Sequence, residues 1–326
     1  MRVFTVFLCV ALLLPLSGCF DYNELNMQEL VNGASADVTD DGVRVVVTCA
    51  SDSEEEDGAV YTYDGASFFD AVRGIAAIAD KKLYWGHART LVLGEAACGE
   101  AERFFDAFLR AQDVYLDIAP VAARGNAEDI IKGKTASGAD VTESISGAFA
   151  NEKNSRRFRM RRMWELLRDR ERTGVFILPT AYIENGAVTL SGGTVIGDGG
   201  VHGYLSGEQM LFLSLMTEEG AGGYLPTTEL PGGRLVSFEV LANKLSRREK
   251  DGRIHITQKC VLAPAEVRGT VNTEEMRLSA EKLLSDNFNA LIRTAEENSL
   301  GDIFNTGGRT LSVKSEVMIS NILGGK

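Results

Sequence analysis

Ser67-Phe68-Phe69-Asp70-Ala71-Val72-Arg73-Gly74-Ile75-Ala76-Ala77-Ile78-Ala79-Asp80, followed by Leu83 to Leu93, is the stretch on which the fold turns. Ser67 offers a side-chain oxygen to the orphan N–H groups of a helix start. Phe68, Val72, Ile75 and Ala79 then share one face, the spacing of an amphipathic helix running to about Asp80. Leu83 to Leu93 is a short apolar run of the kind that forms a buried strand. Glu100 to Gln112 repeats the helical pattern, with Phe104, Phe105, Phe108 and Leu109 inward, and Leu116 to Ala123 reads as a further strand. Asn126 can cap a short helix through Ile130 and Ile131, and Val43 to Cys49, upstream, is a β-branched strand. Strands alternating with helices predict an N-terminal α/β-type layer, with helices packed on a sheet.

Downstream the pattern changes. Gly133 to Asn154 is polar and small and reads as an exposed loop. Phe176 to Glu184, Asn185-Gly186 and Ala187 to Leu190 spell a hairpin, and Gly193 to Ile196 continues its sheet. Ser206-Gly207-Glu208-Gln209 is a capping box opening a helix through Met210, Leu213 and Leu215. Gly220 to Gly233, with Pro226 and Pro231, reads as a mobile loop. Val236, Phe238 and Val240 alternate, as do Ile254 and Ile256. A long helix is predicted from Thr273 to about Asn298, with Met276, Ala280, Leu283, Leu284, Asn287, Leu291 and Ala295 on one stripe. Leu311, Val313, Val317 and Ile319 form a last strand with one wet face. The expected class is multi-domain α+β with mixed sheets and packed helices. An α/β-type N-terminal domain precedes an α+β C-terminal domain that has a long helix and a final strand.

At the N-terminus, Arg2 precedes an uncharged run from Val3 to Leu14, then Pro15 and Leu16-Ser17-Gly18-Cys19. That is the build of a secretory signal peptide, too short to cross a bilayer as a helix. A cysteine directly after Leu-Ser-Gly is similar to the lipobox of bacterial lipoproteins. It implies cleavage after residue 18 and a diacylglyceryl thioether on Cys19, with acyl (palmitate) chains holding the chain on the outer face of a membrane. The other reading is an ordinary cleaved signal with an incidental cysteine. The mature chain keeps 308 of the 326 residues, and losing Arg2 takes the net charge from −12 to −13. An acidic chain argues against general nucleic-acid binding. Cys49, Cys98 and Cys260 remain, with no metal-ligand spacing, and are expected as buried free thiols.

Arg156 to Arg172 has the most unusual composition. Eight arginines (156, 157, 159, 161, 162, 168, 170 and 172) accompany Met160, Met163, Trp164 and Leu167 at helical spacing. Two readings stand. A basic amphipathic helix can lie on anionic headgroups, with Arg156, Arg157, Arg159, Arg161, Arg162 and Trp164 at the membrane surface. Alternatively the apolar stripe packs on the core and the arginines meet the acidic remainder. Motifs for chemistry are sparse. His87, His202 and His255 sit in separate segments, so no zinc site is expected. Gly192 to Gly200 is glycine-rich but lacks a following Gly-Lys-Ser/Thr. No catalytic residue, metal site or cofactor is assigned.

Cys19 to Leu25, Phe68 to Arg73 with Lys82 to Glu95, and Gly203 to Gln209 with Val236 to Val240 together resemble the Ger(x)C family of spore germination lipoproteins, the C subunits of germinant receptors. Cys19-Phe20-Asp21-Tyr22-Asn23-Glu24-Leu25 is similar to the family's mature start. Phe68 to Arg73 followed by Lys82-Leu83-Tyr84-Trp85-Gly86-His87-Ala88-Arg89 and Leu91 to Glu95 is similar to its helix and Gly-His strand. Gly203 to Gln209, with Val236 to Val240 downstream, resembles a C-terminal-domain segment, and Gly301-Asp302-Ile303-Phe304 its Asp-Ile-Phe element. Phe20 departs from the usual tryptophan, Gln209 from a common glutamate, and the helical insertion after the Asp-Ile-Phe element is missing. The resemblance implies a signal peptide over 1–18, a Ger(x)C N-terminal domain over 19–186 and a C-terminal domain over 187–326. It also implies a non-catalytic, lipid-anchored subunit on the extracytoplasmic face of the spore inner membrane, beside A- and B-type integral-membrane subunits. Trp85, Gly86 and His87 either touch such a partner or fill a strand–helix interface. The competing functions are an extracytoplasmic solute-binding lipoprotein and a cell-wall hydrolase.

Overall fold

The computed structural model describes residues 27–51, 58–110 and 117–320. Cys19 and the signal segment lie outside them. In chain order the first elements are β1 (Gln28–Thr39), β2 (Gly42–Cys49), β3 (Val60–Gly65), α1 (Phe68–Ile78), β4 (Lys82–Tyr84) and β5 (Thr90–Leu93). Then follow α2 (Glu95–Cys98), α3 (Ala101–Leu109), β6 (Ala119–Ala123), α4 (Ala127–Ile131), α5 (Val141–Ser155) and α6 (Met163–Thr173). The second half runs β7 (Val175–Glu184), β8 (Ala187–Gly197), β9 (Gly200–Leu205), α7 (Gly207–Thr217), β10 (Gly223–Leu230), β11 (Arg234–Lys250) and β12 (Arg253–Arg268). It closes with α8 (Thr273–Glu297) and β13 (Thr310–Ile319). No helix of the described residues is long and apolar enough to cross a membrane.

Nine strands form one sheet, in the order β3-β2-β1-β5-β6-β7-β8-β9 with β4 beside β1. Its centre is parallel, from β1 through β5 and β6 to β7, and its two ends are antiparallel. Parallel strands need cover on both faces, and β5 and β6 are buried along their whole length. On one face Val45, Val47, Leu91 and Leu93 pack with Phe68 and Ile75 of α1 and Phe104, Phe105 and Phe108 of α3. On the other, Val46, Val92 and Val121 pack with Ile130 and Ile131 of α4 and Val141 and Ile145 of α5. The period-two alternation of Val45, Val46 and Val47 is what divides one strand between two cores.

The second sheet has the order β10-β11-β12-β13. The long α8 carries the chain back so that β13 lies parallel to β12. Its inner face, with Phe238, Cys260 and Leu262, packs on α7 and α8, where Phe212 and Phe288 meet edge to face at 5.9 Å. α7 is apolar all round and buried from Met210 to Met216, because it lies between the two sheets and also touches Val175, Val195 and Leu205. The class is the α+β arrangement expected, with two sheets, packed helices and a long helix before the final strand.

Several local expectations hold. Ser67 accepts the Asp70 N–H, Ser206 and Gln209 form the reciprocal capping box, and Asn185 and Gly186 both take positive φ in the hairpin turn. Cys49, Cys98 and Cys260 are buried and unpaired, and burial pushes each thiol up to about 12.

Others are corrected. Residues 141–155, expected as loop, are α5, started by Asp140, whose carboxylate accepts the Thr142 and Glu143 N–H groups. The glycine-rich stretch expected as a mobile loop contains β10, which pairs with β11 and bulges between Leu225 and Thr228, on either side of Pro226. Leu83 to Leu93 is not one strand: a 3-10 turn at Trp85–His87 steps the chain sideways between β4 and β5. Separately from these corrections, Asn185-Gly186 is the turn between β7 and β8, and the sheet continues from there through Leu205.

Candidate functional site

The predicted arginine helix is half helix. α5 ends at Arg156 in the left-handed region, φ 52°, and residues 157–162 run through a bend without helix until α6 starts at Met163. Along this lead-in Phe158 and Met160 are buried against the sheet, and their neighbours Arg159 and Arg161 turn the opposite way. They turn toward the C-terminal end of α7, where Glu218 follows the last helical residue.

Glu218 is the hub. Its carboxylate lies 3.0 Å from Arg156 Nη1, 2.9 Å from Arg159 Nε and 2.6 Å from Arg161 Nη2. Arg159 Nη2 also donates to Thr217 Oγ1 at 3.0 Å. A second carboxylate, Glu152 of α5, stands 3.6 Å from Arg156 and 3.9 Å from Arg161 and accepts the Met160 N–H. The side chains of Arg156 and Arg159 are only 11% and 13% exposed, so the pairs form largely out of water. The C-terminal end of the α7 dipole adds partial negative charge at the same place. From the other side, Asn243 of β11 donates to the Leu215 and Glu218 carbonyls, and Gln258 and Ser315 extend that chain across β12 and β13. The hub thus ties α5 and the arginine lead-in of the large-sheet unit to α7 and, through it, to the small sheet.

The charges respond accordingly. Burial alone would raise Glu218, but Arg159, Arg161 and Arg156 outweigh it and hold the carboxyl below its usual range. Glu152 goes the other way: burial raises it, and Arg161 and the Met160 N–H only partly offset that. Burial lowers the Arg159 guanidinium, against the pull of Glu218.

Beside the hub opens a cleft of about 520 Å³ between the units, lined by α6, the start of β7, the end of α7, β11 and the turn at 302–305. Arg168, Asp169 and Arg172 of α6 line one wall, and Arg247 of β11 another. Ile256, Ile303 and Phe304 supply apolar surface. The turn carrying Ile303 and Phe304 is held by Asp302, which accepts the Thr306 and Gly307 N–H groups, both at 2.6 Å.

The structure therefore scatters the six residues read as a membrane surface. Arg156, Arg159 and Arg161 point into the hub, because the buried Glu152 and the half-buried Glu218 are there to receive them. Arg162 is exposed, 3.5 Å from Asp117 and stacked over Phe149. Arg157 is exposed. Trp164 is 40% exposed and lies under the Arg168 guanidinium. Trp85 packs edge-on against Phe108 at 6.0 Å, Gly86 is buried where any Cβ would strike the Tyr84 ring, and His87 is half-buried. Sequence reading missed Glu152, Glu218, Asn243 and Arg247. For Glu152 a signal existed, since it stands four residues before Arg156 on one helix face. Glu218 had none, being distant in sequence from its partners.

A family model described as "Spore germination protein N-terminal domain" matches residues 21–182, close to half the chain. The crystal structure of the GerBC protein is similar over 89% of this chain and 97% of that one, with a TM-score of 0.51 and 17% sequence identity. The chain belongs to the Ger(x)C family of spore germination proteins. No curated protein matches it in sequence. The match to the Ger(x)C N-terminal domain ends at residue 182, within β7, and takes in the hub's arginines and Glu152. Glu218 lies beyond it. At 17% identity the likeness to GerBC speaks for the fold, and the Ger(x)C architecture is the two-sheet arrangement described above.

Proposed function

We propose that this Ger(x)C protein is the C-type subunit of a spore germinant receptor. In this reading it is anchored through acylated Cys19 to the extracytoplasmic face of the spore inner membrane and is required for nutrient-triggered germination. It works by contact with A- and B-type integral-membrane subunits and performs no chemistry of its own. The observation that carries the reading is the family match beginning at residue 21, two residues after the lipobox cysteine. Seven residues, 20–26, separate that anchor from Met27, where the described part of the chain begins, a reach of about 30 Å at most. Met27 then sits within that distance of the bilayer. Of the proposed partner-contact residues Trp85, Gly86 and His87, the half-buried Trp85 and His87 are the ones with surface to offer, next to Tyr84, which precedes the 3-10 turn and is 37% exposed.

A two-lobed solute-binding lipoprotein has less support, since the two units differ in strand number and topology. A wall hydrolase has less still, the family being one of germination proteins. The test is Cys19→Ala in sporulating cells. The variant is expected to leave the membrane fraction and to impair germination with nutrients, and wild-type protein is expected to co-purify with polytopic membrane subunits. A fully membrane-bound Cys19→Ala protein, or wild type recovered alone at high yield, contradicts the proposal.

A further inference from the structure

We infer that the outer face of the distal half of the small sheet docks on a bilayer rich in anionic phospholipid. The inference rests on the reading of Cys19 as a membrane anchor. Beyond the bulge at Val240, β11 and β12 pair without a break to the turn at Asp251-Gly252, and β13 follows β12 in register. Residues directly abreast therefore share a face, and alternate residues along each strand do the same. One face carries Lys244 abreast of Lys259 and Lys250 abreast of Arg253, with Arg248 and Lys314 between them. All six are exposed, while Ile254, Ile256 and Gln258 alternate with them along β12 and are buried on the other face. The next row of the basic face, Ala242, Val261 and Met318, is apolar, and Met318 is 66% exposed.

The sign of the occupant follows from a count of every charge there, on both faces. Residues 244–259 and 309–316 hold eight lysines and arginines against Glu249, Asp251 and Glu316, a net charge of +5. The rest of the mature chain then carries −18. Lys259 and Lys314 share Glu316, at 3.6 and 3.3 Å, but Lys244, Arg248, Lys250 and Arg253 form no ion pair among the described residues. A surface that only keeps a protein in solution mixes both signs; this one has a single sign on a strongly acidic chain. Three strands about 4.8 Å apart set these cations side by side on a plane, not around a cavity. A plane of anionic headgroups matches both the shape and the sign. Position agrees as well. Gln28 and Val175 open β1 and β7, which run the same way in the large sheet, so both lie at one end of it. Val175 lines the cleft together with Leu245, Arg247 and Ile256 of the distal hairpin. The basic face thus belongs to the end of the molecule at which the tether from Cys19 enters.

The test is cosedimentation of the mature chain, made without its leader and carrying Cys19→Ala, with vesicles. One set is phosphatidylcholine alone, the other equal parts phosphatidylcholine and phosphatidylglycerol. No acyl chain is present, so the outcome does not depend on whether Cys19 is lipidated in the spore, which membrane fractionation tests separately. At low salt the mixed vesicles are expected to bind at least about tenfold more tightly than phosphatidylcholine, and high salt to abolish the difference. Lys244→Gln/Arg248→Gln/Lys250→Gln/Arg253→Gln is expected to weaken that binding at least about tenfold, with thermal unfolding unchanged because all four side chains are exposed. Arg162→Gln/Arg168→Gln/Arg172→Gln, which removes exposed arginines at and before α6, is expected to bind like wild type. The inference is overturned if the mixed vesicles do not bind at low salt, if phosphatidylcholine binds equally well, or if the sheet variant binds like wild type. It is overturned too if the α6 variant loses as much as the sheet variant, or if polyglutamate binds and the vesicles do not.

Discussion

Two arginine–glutamate groups in this molecule have almost the same geometry and opposite surroundings. On α8, Arg277 reaches Glu274 at 2.6 Å and Glu281 at 2.8 Å, on a surface open to water. At the hub, Arg161 and Arg156 reach Glu218 at 2.6 and 3.0 Å, but with little solvent around them. In water the exposed set gains little, since solvent screens the attraction and long side chains lose entropy to keep their geometry. At the hub the groups have already given up their hydration, so removing one partner strands the others. Distance alone does not rank ion pairs; the surrounding dielectric does.

That contrast can be broken in order of size. Glu218→Ala leaves three guanidinium groups around an empty centre and is expected to cost about 3–5 kcal/mol in urea unfolding, the range for uncovering a buried charge. A loss of under about 1 kcal/mol means that water already screens the hub.

Acid gives a second, smaller effect with a definite sign. The folded-state pKa of Glu218 is lowered, so its contribution is complete above the ordinary 4.5 and drains away as pH falls through the folded value. Glu152 is raised, so its charge opposes folding above its folded value, and protonation on the way down toward 4.5 adds stability. Glu152→Gln is therefore expected to flatten the rise in stability on mild acidification, and Glu218→Gln the fall at stronger acid. Unfolding free energies measured across that pH range check both.

Asp140→Ala removes the side chain that accepts two backbone N–H groups at the start of α5 and is expected to cost about 1 kcal/mol. Denaturant midpoints measure it. Glu274→Ala, on the exposed side of the comparison, is expected to leave the midpoint unmoved within error.

What the sequence made legible were features written in local chemistry. The Ser67 cap, the Ser206 box, the Asn185-Gly186 turn and the alternation of Val236, Phe238 and Val240 all appear where residue type demands them. The helix at 141–155 was obscured by Gly147 and many small polar residues, although Asp140-Val141-Thr142-Glu143 carried a helix-start signature. β1, the strand at the heart of the sheet, reads Gly33-Ala34-Ser35-Ala36, with little β propensity; tertiary contacts decide it, as Gly33 leaves room for Thr142 of α5. The arginine lead-in was misread because Met160, Met163, Trp164 and Leu167 fit a helix, while the buried pair Phe158 and Met160 follows the period-two rule instead. Which arginines face inward depends on Glu218, 57 residues beyond Arg161, and no local pattern announces that pairing.

The hub's role as the joint between the two units is tested most directly by unfolding followed with two probes. Both tryptophans, Trp85 and Trp164, belong to the large-sheet unit, so their fluorescence reports that unit, whereas far-UV circular dichroism reports the whole chain. Coincident transitions in the wild type that separate in Glu218→Ala are the expected result. Transitions that stay coincident in the variant, at an unshifted midpoint, contradict the account.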